Sequence, residues 1–217
     1  MFFGLDAPTI IARVLVLLTA FSVHEFAHAW TANYFGDDTP GRYGRLTLNP
    51  LAHLDVMGSL MLIFVGFGWA KPVPVNPYAL ERRSPAAFMW VSLAGPMSNL
   101  IMAVIAAIPF QMGWVSVYNI YGSSSSFLPS IPFLLFEFIY INLILMLFNL
   151  IPLYPLDGEK IAQYFFPPTW AKFLDQIRPY SSVILIVVFI GLPYLGINIG
   201  GWVMGPAMDV LLGILIQ

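Results

Sequence analysis

Four long apolar stretches constrain the fold of this 217-residue chain more than any other feature. Each is long enough for a helix to cross about 30 Å of hydrocarbon. They lie near residues 9–35, 88–112, 131–150 and 181–199. The composition agrees, because 59% of the residues are hydrophobic and only 9% are charged, against about 25% charged in ordinary soluble domains. The sequence therefore predicts an all-α, multi-pass membrane protein.

Two further apolar pieces have different lengths and flanks. Residues 203–217 are short and interrupted by glycine; they either span the membrane, which gives about five transmembrane helices, or lie obliquely. Residues 58–70, "GSLMLIFVGFGWA", are too short for an ordinary spanning helix and run into "KPVPVNP". We expect a membrane re-entrant loop or β-hairpin here, after the first helix, because irregular backbone at membrane depth needs protein or a water-filled cavity to satisfy it.

The basic residues predict the orientation of the chain in the membrane. Apart from Arg13, they all fall between the first and second or between the third and fourth stretches. They are Arg42, Arg45, Lys71, Arg82, Arg83, Lys160, Lys172 and Arg178. If residues 58–70 do not cross, all of them lie on one side, which the positive-inside rule makes cytoplasmic, and the N-terminus lies outside. The net charge of −2 argues against a nucleic-acid partner, and the lack of cysteine excludes thiolate ligands and disulfides.

The first apolar stretch contains "HEFAH", which brings ionisable groups into a helix that should lie in lipid. His24 and His28 are four residues apart and share one face of a helix, so both imidazoles can bind one zinc ion. Glu25 lies beside them and can act as general base on a zinc-bound water. Only three histidines occur in the chain, and each charge at mid-bilayer costs roughly 2.5–3.5 kcal/mol on insertion scales. A chance occurrence of this motif is therefore a poor explanation.

A third ligand is predicted at the end of the third long stretch, in "LFNLIPLYPLDGEK". Pro152 and Pro155 should break the helix, so that Asp157 lies on unwound backbone near the cytoplasmic end. If the first helix begins near Pro8, His24 lies roughly 24 Å from its outer end, at a similar depth. Without the HEFAH motif, "LDG" would be interpreted as a plain surface turn; with it, Asp157 is the expected third ligand.

Four motifs in this order resemble the site-2 protease family of intramembrane zinc metalloproteases. They are "HEFAH", "GFGWAKPVPVNP", "SLAGPMSNL" and "NLIPLYPLDG", and together they cover about residues 15 to 165. The resemblance implies one zinc ion per chain, with His24, His28 and Asp157 as ligands and Glu25 as catalytic base. It implies that Asn149, eight residues before the aspartate, helps to hold the scissile carbonyl or its oxyanion. It also implies that Gly95 allows close helix packing.

The same resemblance implies an endopeptidase that cleaves transmembrane segments of membrane-protein substrates, in a multi-pass cell-membrane protein whose active site lies nearer the cytoplasm. The chain resembles small bacterial and archaeal members without PDZ or CBS domains. We expect one transmembrane metalloprotease domain over 1–217, with a catalytic core at about 9–165 and C-terminal helices at about 181–217. The "GFGWAKPVPVNP" stretch resembles the family's re-entrant β-hairpin, whose edge could clamp an unwound substrate by strand addition.

Five other ionisable residues lie outside these motifs, and all but Asp55 allow two interpretations. Arg13 and Glu137 lie at matched depth on helices that must touch, so they either form a pair within the membrane or each reach outward to water. His53 is either a polar group at the mouth of the site or a satisfied interfacial residue, and the second is favoured. Asp55 is expected to be a loop or cap residue. Asp209 either lines a crevice or places the end of the last helix.

Two other functions remain open at this point. A metal transporter or channel also uses histidine and aspartate, although no inverted repeat is visible and a transporter does not need a glutamate directly after the first histidine. A binding or scaffold protein with a decayed site is disfavoured, because every expected catalytic residue is present.

Overall fold

The computed structural model describes residues 6–55, 57–58, 69–120 and 127–216. The described helices are α1 (Ala7–Tyr34), α2 (Thr39–Arg42), α3 (Pro50–His53), α4 (Pro77–Arg83), α5 (Ala87–Gln111), α6 (Ile131–Asn149), α7 (Asp157–Phe165), α8 (Pro168–Ile186), α9 (Leu192–Tyr194) and α10 (Ile199–Leu215). A 3₁₀ turn occupies Val117–Asn119, and a π-helical turn at Val187–Gly191 joins α8 to α9. The predicted helical architecture is confirmed for this part of the chain.

Within the described residues, four helices are long and apolar enough to cross a membrane. They are α1, α5, α6 and the continuous helix Pro168–Tyr194, while α10 is apolar but has only 17 residues. The start of α1 matches the prediction, since Pro8 lies in its first turn and the Asp6 carboxylate accepts a hydrogen bond from Thr9 N at 3.2 Å.

The predicted position of the fourth span was wrong at both ends. The helix begins at Pro168 instead of residue 181 and ends at Tyr194 instead of residue 199. The charged residues of its first half lower the hydropathy without preventing a helix, because Lys172 and Arg178 are good helix formers. Gly196 has a φ of +78°, a backbone conformation that suits glycine and separates this helix from α10.

Helix α5 lies between α1 and α6 and packs against both. The buried face of α1 consists largely of small side chains, and most of them expose no surface. Those residues are Ala12, Ala20, Ser22, Ala29 and Ala32. Because lipid provides no hydrophobic drive for helices to associate, membrane helices gain contact by close packing of small residues. This close approach brings the polar residues of α1 and α5 together.

Two tethers fix the connection between α1 and α5. The Asp37 carboxylate, 1% exposed, accepts hydrogen bonds from Thr39 N at 3.0 Å and from Asn76 N at 2.6 Å. At the other end of segment 71–76, which has no regular secondary structure, Lys71 N donates to His53 O at 2.7 Å. This segment is therefore held at both ends against the cytoplasmic end predicted for α1.

The predicted re-entrant β-hairpin at 58–70 falls mostly on residues 59–68, which lie outside the described residues. On its flanks, Leu54 and Ala70 form an isolated antiparallel bridge, and the described part of the chain contains no strand. The structure therefore gives no support to a hairpin.

Candidate metal centre

The two histidines of HEFAH form one face of α1 in the middle of the helix bundle. His24 and His28 are both buried, and their Nε2 atoms lie 3.0 Å apart. The i and i+4 spacing stacks the two rings on one face, and α5 covers that face. At a rise of about 1.5 Å per residue, His24 lies about 25 Å from the Ala7 end of α1 and about 15 Å from the Tyr34 end.

Asp157 comes from the first turn of α7 and completes a compact cluster. Its Oδ2 lies 3.2 Å from His24 Nε2 and 3.3 Å from His28 Nε2. The sequence analysis predicted this residue on unwound backbone, and the prediction was wrong by one residue. The non-helical segment ends at Leu156, and Asp157 is the first residue of α7. A carboxylate at this position is stabilised by the unpaired amides and the dipole of the helix N-terminus.

Gly158 allows α7 to approach the end of α6. A Cβ at this position would overlap the main-chain carbonyl oxygens of Leu150 and Ile151. Its φ is not positive, so the glycine is required by close approach and not by backbone conformation. This contact brings Asp157 to the histidines.

The other ring nitrogens of both histidines are held by α5. His28 Nδ1 lies 2.7 Å from the main-chain oxygen of Val91, and His24 Nδ1 lies 2.6 Å from Asn99 Oδ1. A carbonyl oxygen only accepts hydrogen bonds, so His28 carries its proton on Nδ1 and directs the lone pair of Nε2 into the cluster. This is the arrangement that metal-binding histidines require.

Gly95 forms the wall of the cluster on the α5 side. A Cβ built on it would lie 2.6 Å from His24 Cε1 and closer still to the ring of His28. The prediction that this glycine allows close packing is confirmed, and the groups packed against it are the two imidazoles.

These three donors fit a metal ion. Their separations of 3.0, 3.2 and 3.3 Å match the spacing of about 3.3 Å expected for tetrahedral ligands with bonds of about 2.0–2.1 Å. Asp157 Oδ2 is buried without a hydrogen-bond partner, so three electron-rich atoms converge with no donor among them. A cation would relieve the mutual repulsion of these atoms.

The other two predicted site residues lie on the helices that carry the ligands. Glu25 is half-buried on α1 next to His24, and within the described residues its carboxylate makes no hydrogen bond or ion pair. Asn149 is the last residue of α6, and its Nδ2 donates to Leu145 O at 2.9 Å. An amide NH₂ group has two protons, so one proton of Asn149 is free for another acceptor.

Similarity to known proteins identifies the family of this chain. The family model described as "Peptidase family M50" matches residues 110–192, a segment that contains Asn149 and Asp157. The Bacillus subtilis protein named "Putative zinc metalloprotease YwhC" is 37% identical over 196 residues, which cover 90% of this chain and 85% of that protein. The chain belongs to peptidase family M50.

More distant members of the M50 family, which is the site-2 protease family, also match. Two proteins named "Putative zinc metalloprotease Rip2", from Mycolicibacterium smegmatis and Mycobacterium tuberculosis H37Rv, are 29% and 27% identical and cover 80% and 87% of this chain. The matches extend over 64% and 68% of those proteins. No solved structure matches the chain significantly. Family membership makes the chain a metalloprotease and removes the transporter alternative.

The predicted pair between Arg13 and Glu137 is confirmed. Arg13 Nε lies 3.1 Å from Glu137 Oε2, and the second guanidinium nitrogen lies 3.5 Å from Oε1. Glu137 is buried while Arg13 is about one-third exposed. The pair joins α1 to α6 near the opposite end of the bundle from Asp157, so it belongs to the scaffold of this M50 protein.

The remaining ionisable residues lie apart from the metal cluster. His53 is 1% exposed and its Nε2 lies 2.7 Å from Thr47 O, but its Nδ1 is buried without a hydrogen-bond partner among the described residues, so the favoured interpretation of a satisfied residue holds for one ring nitrogen only. Asp55 is a cap, since its Oδ1 accepts from Gly58 N at 2.8 Å. Asp209 is exposed in the middle of α10, so it does not place the end of that helix.

Two features of the site were missed by sequence reasoning. Glu159 is 2% exposed and pairs with Arg178 of α8, with Nε and Oε1 2.8 Å apart, and with Lys160 at 3.2 Å. This cluster holds α7 against α8. The sequence does show a carboxylate, Glu159, two residues after Asp157. It does not reveal the partner of that carboxylate, because Arg178 lies 19 residues further along the chain. The second missed feature is the buried pair Asn99 and Asn142.

Proposed function

We propose that this M50 metalloprotease is an intramembrane zinc endopeptidase that hydrolyses peptide bonds in transmembrane segments of other membrane proteins. The observation that carries the proposal is the convergence of His24 Nε2, His28 Nε2 and Asp157 Oδ2 within 3.3 Å of one another. Both histidines lie on α1, a helix apolar enough to span the membrane. The names of the relatives support zinc as the metal. So does the ligand set of two imidazoles and a carboxylate with a remaining open position.

The proposed roles follow from the placement of each side chain. His24, His28 and Asp157 would hold a zinc ion, which would supply Lewis-acid chemistry to the scissile carbonyl and to the attacking water. Glu25 accepts the proton that the attacking water gives up and returns it to the amide nitrogen as the peptide bond breaks. Its carboxylate is suited to this role because, among the described residues, it has no hydrogen-bond partner.

Asn149 is proposed to donate its free Nδ2 proton to the oxyanion that develops on the scissile carbonyl. Its other Nδ2 proton is bound to Leu145 O at 2.9 Å, which fixes the orientation of the amide. Donors of this kind typically contribute about 3–4 kcal/mol to transition-state stabilisation.

The substrate must present an unwound peptide bond. A transmembrane helix hides its amides in hydrogen bonds from residue i to i+4, so helix-breaking residues near the cleavage position should promote cleavage. We further propose that residues 71–76 bind the unwound segment by strand addition. This segment is tethered at both ends and lies outside any helix, so its backbone groups are not used in helical hydrogen bonds, although Pro72 and Pro74 offer no N–H donor. We further propose that residues 1–217 form one membrane domain. Its N-terminus lies outside the cell, and its metal centre lies toward the cytoplasm.

The decisive experiment counts zinc and measures cleavage in detergent-purified protein. We expect about one zinc per chain in the native protein and in Glu25→Gln, and loss of zinc in His24→Ala, His28→Ala and Asp157→Asn. The matched controls are His53→Ala and Asp209→Asn, which change the same residue types outside the metal cluster. Zinc retained in Asp157→Asn, or absent from well-folded native protein, would overturn the ligand assignment.

Cleavage is measured on a tagged single-span membrane protein whose transmembrane segment contains Gly, Asn or Pro, reconstituted together with the enzyme in vesicles. Fragments are identified by mass spectrometry. Glu25→Gln should reduce the rate by about 10²–10⁴-fold while zinc stays bound. Cleavage confined to loops outside the span would contradict the intramembrane proposal.

A further inference from the structure

Two buried asparagines connect His24 to a main-chain carbonyl across α5 and α6. His24 Nδ1 lies 2.6 Å from Asn99 Oδ1, and Asn99 Nδ2 donates to Asn142 Oδ1 at 2.8 Å. Asn142 Nδ2 then donates to Phe138 O, also at 2.8 Å. Both asparagines are 0% exposed, and neither has a role in the chemistry proposed above. We call this chain of hydrogen bonds the amide relay.

The far end of the amide relay fixes its direction. Phe138 O can only accept a hydrogen bond, so Asn142 must turn its NH₂ group toward it and its oxygen toward Asn99. Asn99 must then turn its own NH₂ group toward Asn142 and its oxygen toward His24. An oxygen facing His24 Nδ1 requires the ring proton on Nδ1, which leaves the lone pair on Nε2.

The two histidines reach this tautomer by different means. His28 Nδ1 faces the main-chain oxygen of Val91 at 2.7 Å, an acceptor that cannot be reversed. His24 faces a side-chain amide, which can present either its oxygen or its nitrogen. Without an outside constraint, Asn99 could donate to His24 and hold the ring with its proton on Nε2, where it blocks metal binding.

We propose that Asn142 is a positioning residue for the metal centre: it fixes the orientation of Asn99, and through Asn99 the tautomer of His24. The proposal rests on the proposed function in one respect, that His24 binds the metal through Nε2. Among the described residues, the Asn142 side chain hydrogen-bonds to Asn99 and to Phe138 O and to none of the three cluster residues, so its effect must pass through Asn99.

The competing explanation is that the asparagines only hold α5 to α6. Interhelical hydrogen bonds between buried polar side chains are a common means of association in membrane helices. That role predicts a loss of thermal stability in the metal-free protein and no specific loss of metal affinity. The two explanations therefore separate when affinity and stability are both measured.

The test measures the affinity of the metal-free, detergent-purified protein for Co²⁺ by chelator competition. Asn142→Leu keeps a similar volume and removes the acceptor for Asn99, and we expect the Co²⁺ dissociation constant to rise about 10–100-fold. Asn142→Ser is a second variant that can still bond to Phe138 O but is too short to reach Asn99, and it should show the same loss. The double variant Asn99→Leu/Asn142→Leu should bind no more weakly than Asn99→Leu alone, because Asn142 acts through Asn99.

Leu143→Ala is the matched control. Leu143 is 0% exposed on the same helix, next to Asn142 in sequence, and truncating it destabilises the core without touching the amide relay. We expect Leu143→Ala to lower the unfolding temperature and leave the Co²⁺ affinity at the native value. If Leu143→Ala weakens Co²⁺ binding as much as Asn142→Leu does, the role of Asn142 is structural and the proposal is overturned.

The native protein and His24→Ala separate the two possible failures. If native protein binds Co²⁺, His24→Ala abolishes binding and both Asn142 variants bind normally, the amide relay fails and the proposed function stands. If native protein binds no Co²⁺, or binds it without need of His24, the metal centre itself is wrong and the relay falls with it.

Discussion

Gly95→Ala tests the geometry of the metal centre with the addition of one methyl group. A Cβ on Gly95 would lie 2.6 Å from His24 Cε1 and closer to the His28 ring, whereas carbon atoms in contact are normally about 3.5–4.0 Å apart. The rings would have to move by about 1 Å, well beyond the tolerance of about 0.2 Å in metal–ligand distances. They cannot move freely, because the Nδ1 atoms of both rings are bound to Val91 O and Asn99 of the same helix.

We therefore expect Gly95→Ala to raise the dissociation constant for zinc by about 100-fold or more, and to reduce cleavage of a transmembrane reporter at least as much. Zinc affinity is measured by chelator competition and folding by thermal unfolding in detergent. Gly205→Ala is the matched control, since a Cβ at that helical glycine of α10 would meet nothing within 4 Å. A folded Gly95→Ala protein with native zinc affinity would show that the imidazoles are not positioned against this glycine, and would refute the reasoning.

Three further predictions address the stability of the helix bundle and the support of the metal centre. Removing zinc with a chelator should lower the unfolding temperature of the native protein and leave the unfolding temperature of His24→Ala unchanged. A metal present at about 1,000 times its dissociation constant contributes about 4 kcal/mol to the free energy of unfolding. Arg13→Gln and Glu137→Gln should each lower the free energy of unfolding by about 1–3 kcal/mol. This is less than for a fully buried ion pair, because Arg13 is partly exposed. Strictly additive losses in the double variant would contradict an interaction between the two residues. Glu159→Gln should weaken zinc binding about tenfold by loosening α7, and Lys172→Gln, a charge change on α8 outside that cluster, should bind zinc normally.

The histidines of the cluster could be predicted because their pattern is local. Two histidines four residues apart must share a face of any helix, whereas Asp157 was predicted from Pro152 and Pro155, which favour the end of a helix just before it. The pair of Arg13 and Glu137 was also accessible, because a lone charge within an apolar stretch needs a partner at the same depth. The start of the fourth long helix at Pro168 could not be predicted, because hydropathy alone places the charged first half of that helix outside the span.

The groups that orient the ligands depend on how α5 is rotated against its neighbours, and no spacing in one helix reveals this. Asn99 and Asn142 are 43 residues apart, and Asn99 and His24 are 75 residues apart. In sequence, each asparagine is an isolated polar residue in an apolar helix, which indicates a buried hydrogen bond but not its partner. The same holds for Glu159, whose partner Arg178 is fixed only when α7 and α8 are in contact.

The metal centre divides into two parts that are anchored separately. Both histidines are fixed to α5, one through Val91 O and the other through Asn99, with Gly95 between them. Asp157 is fixed to different elements, because its helix α7 is held to the end of α6 at Gly158 and to α8 by the ion pair of Glu159 with Arg178. Metal binding joins these parts, since it needs a ligand from each. The histidines on α1 are held by groups of α5, and the helix that carries Asp157 is held by the end of α6 and by Arg178 of α8. The bundle must therefore be assembled before the three donors can converge, and the HEFAH helix alone cannot form the site.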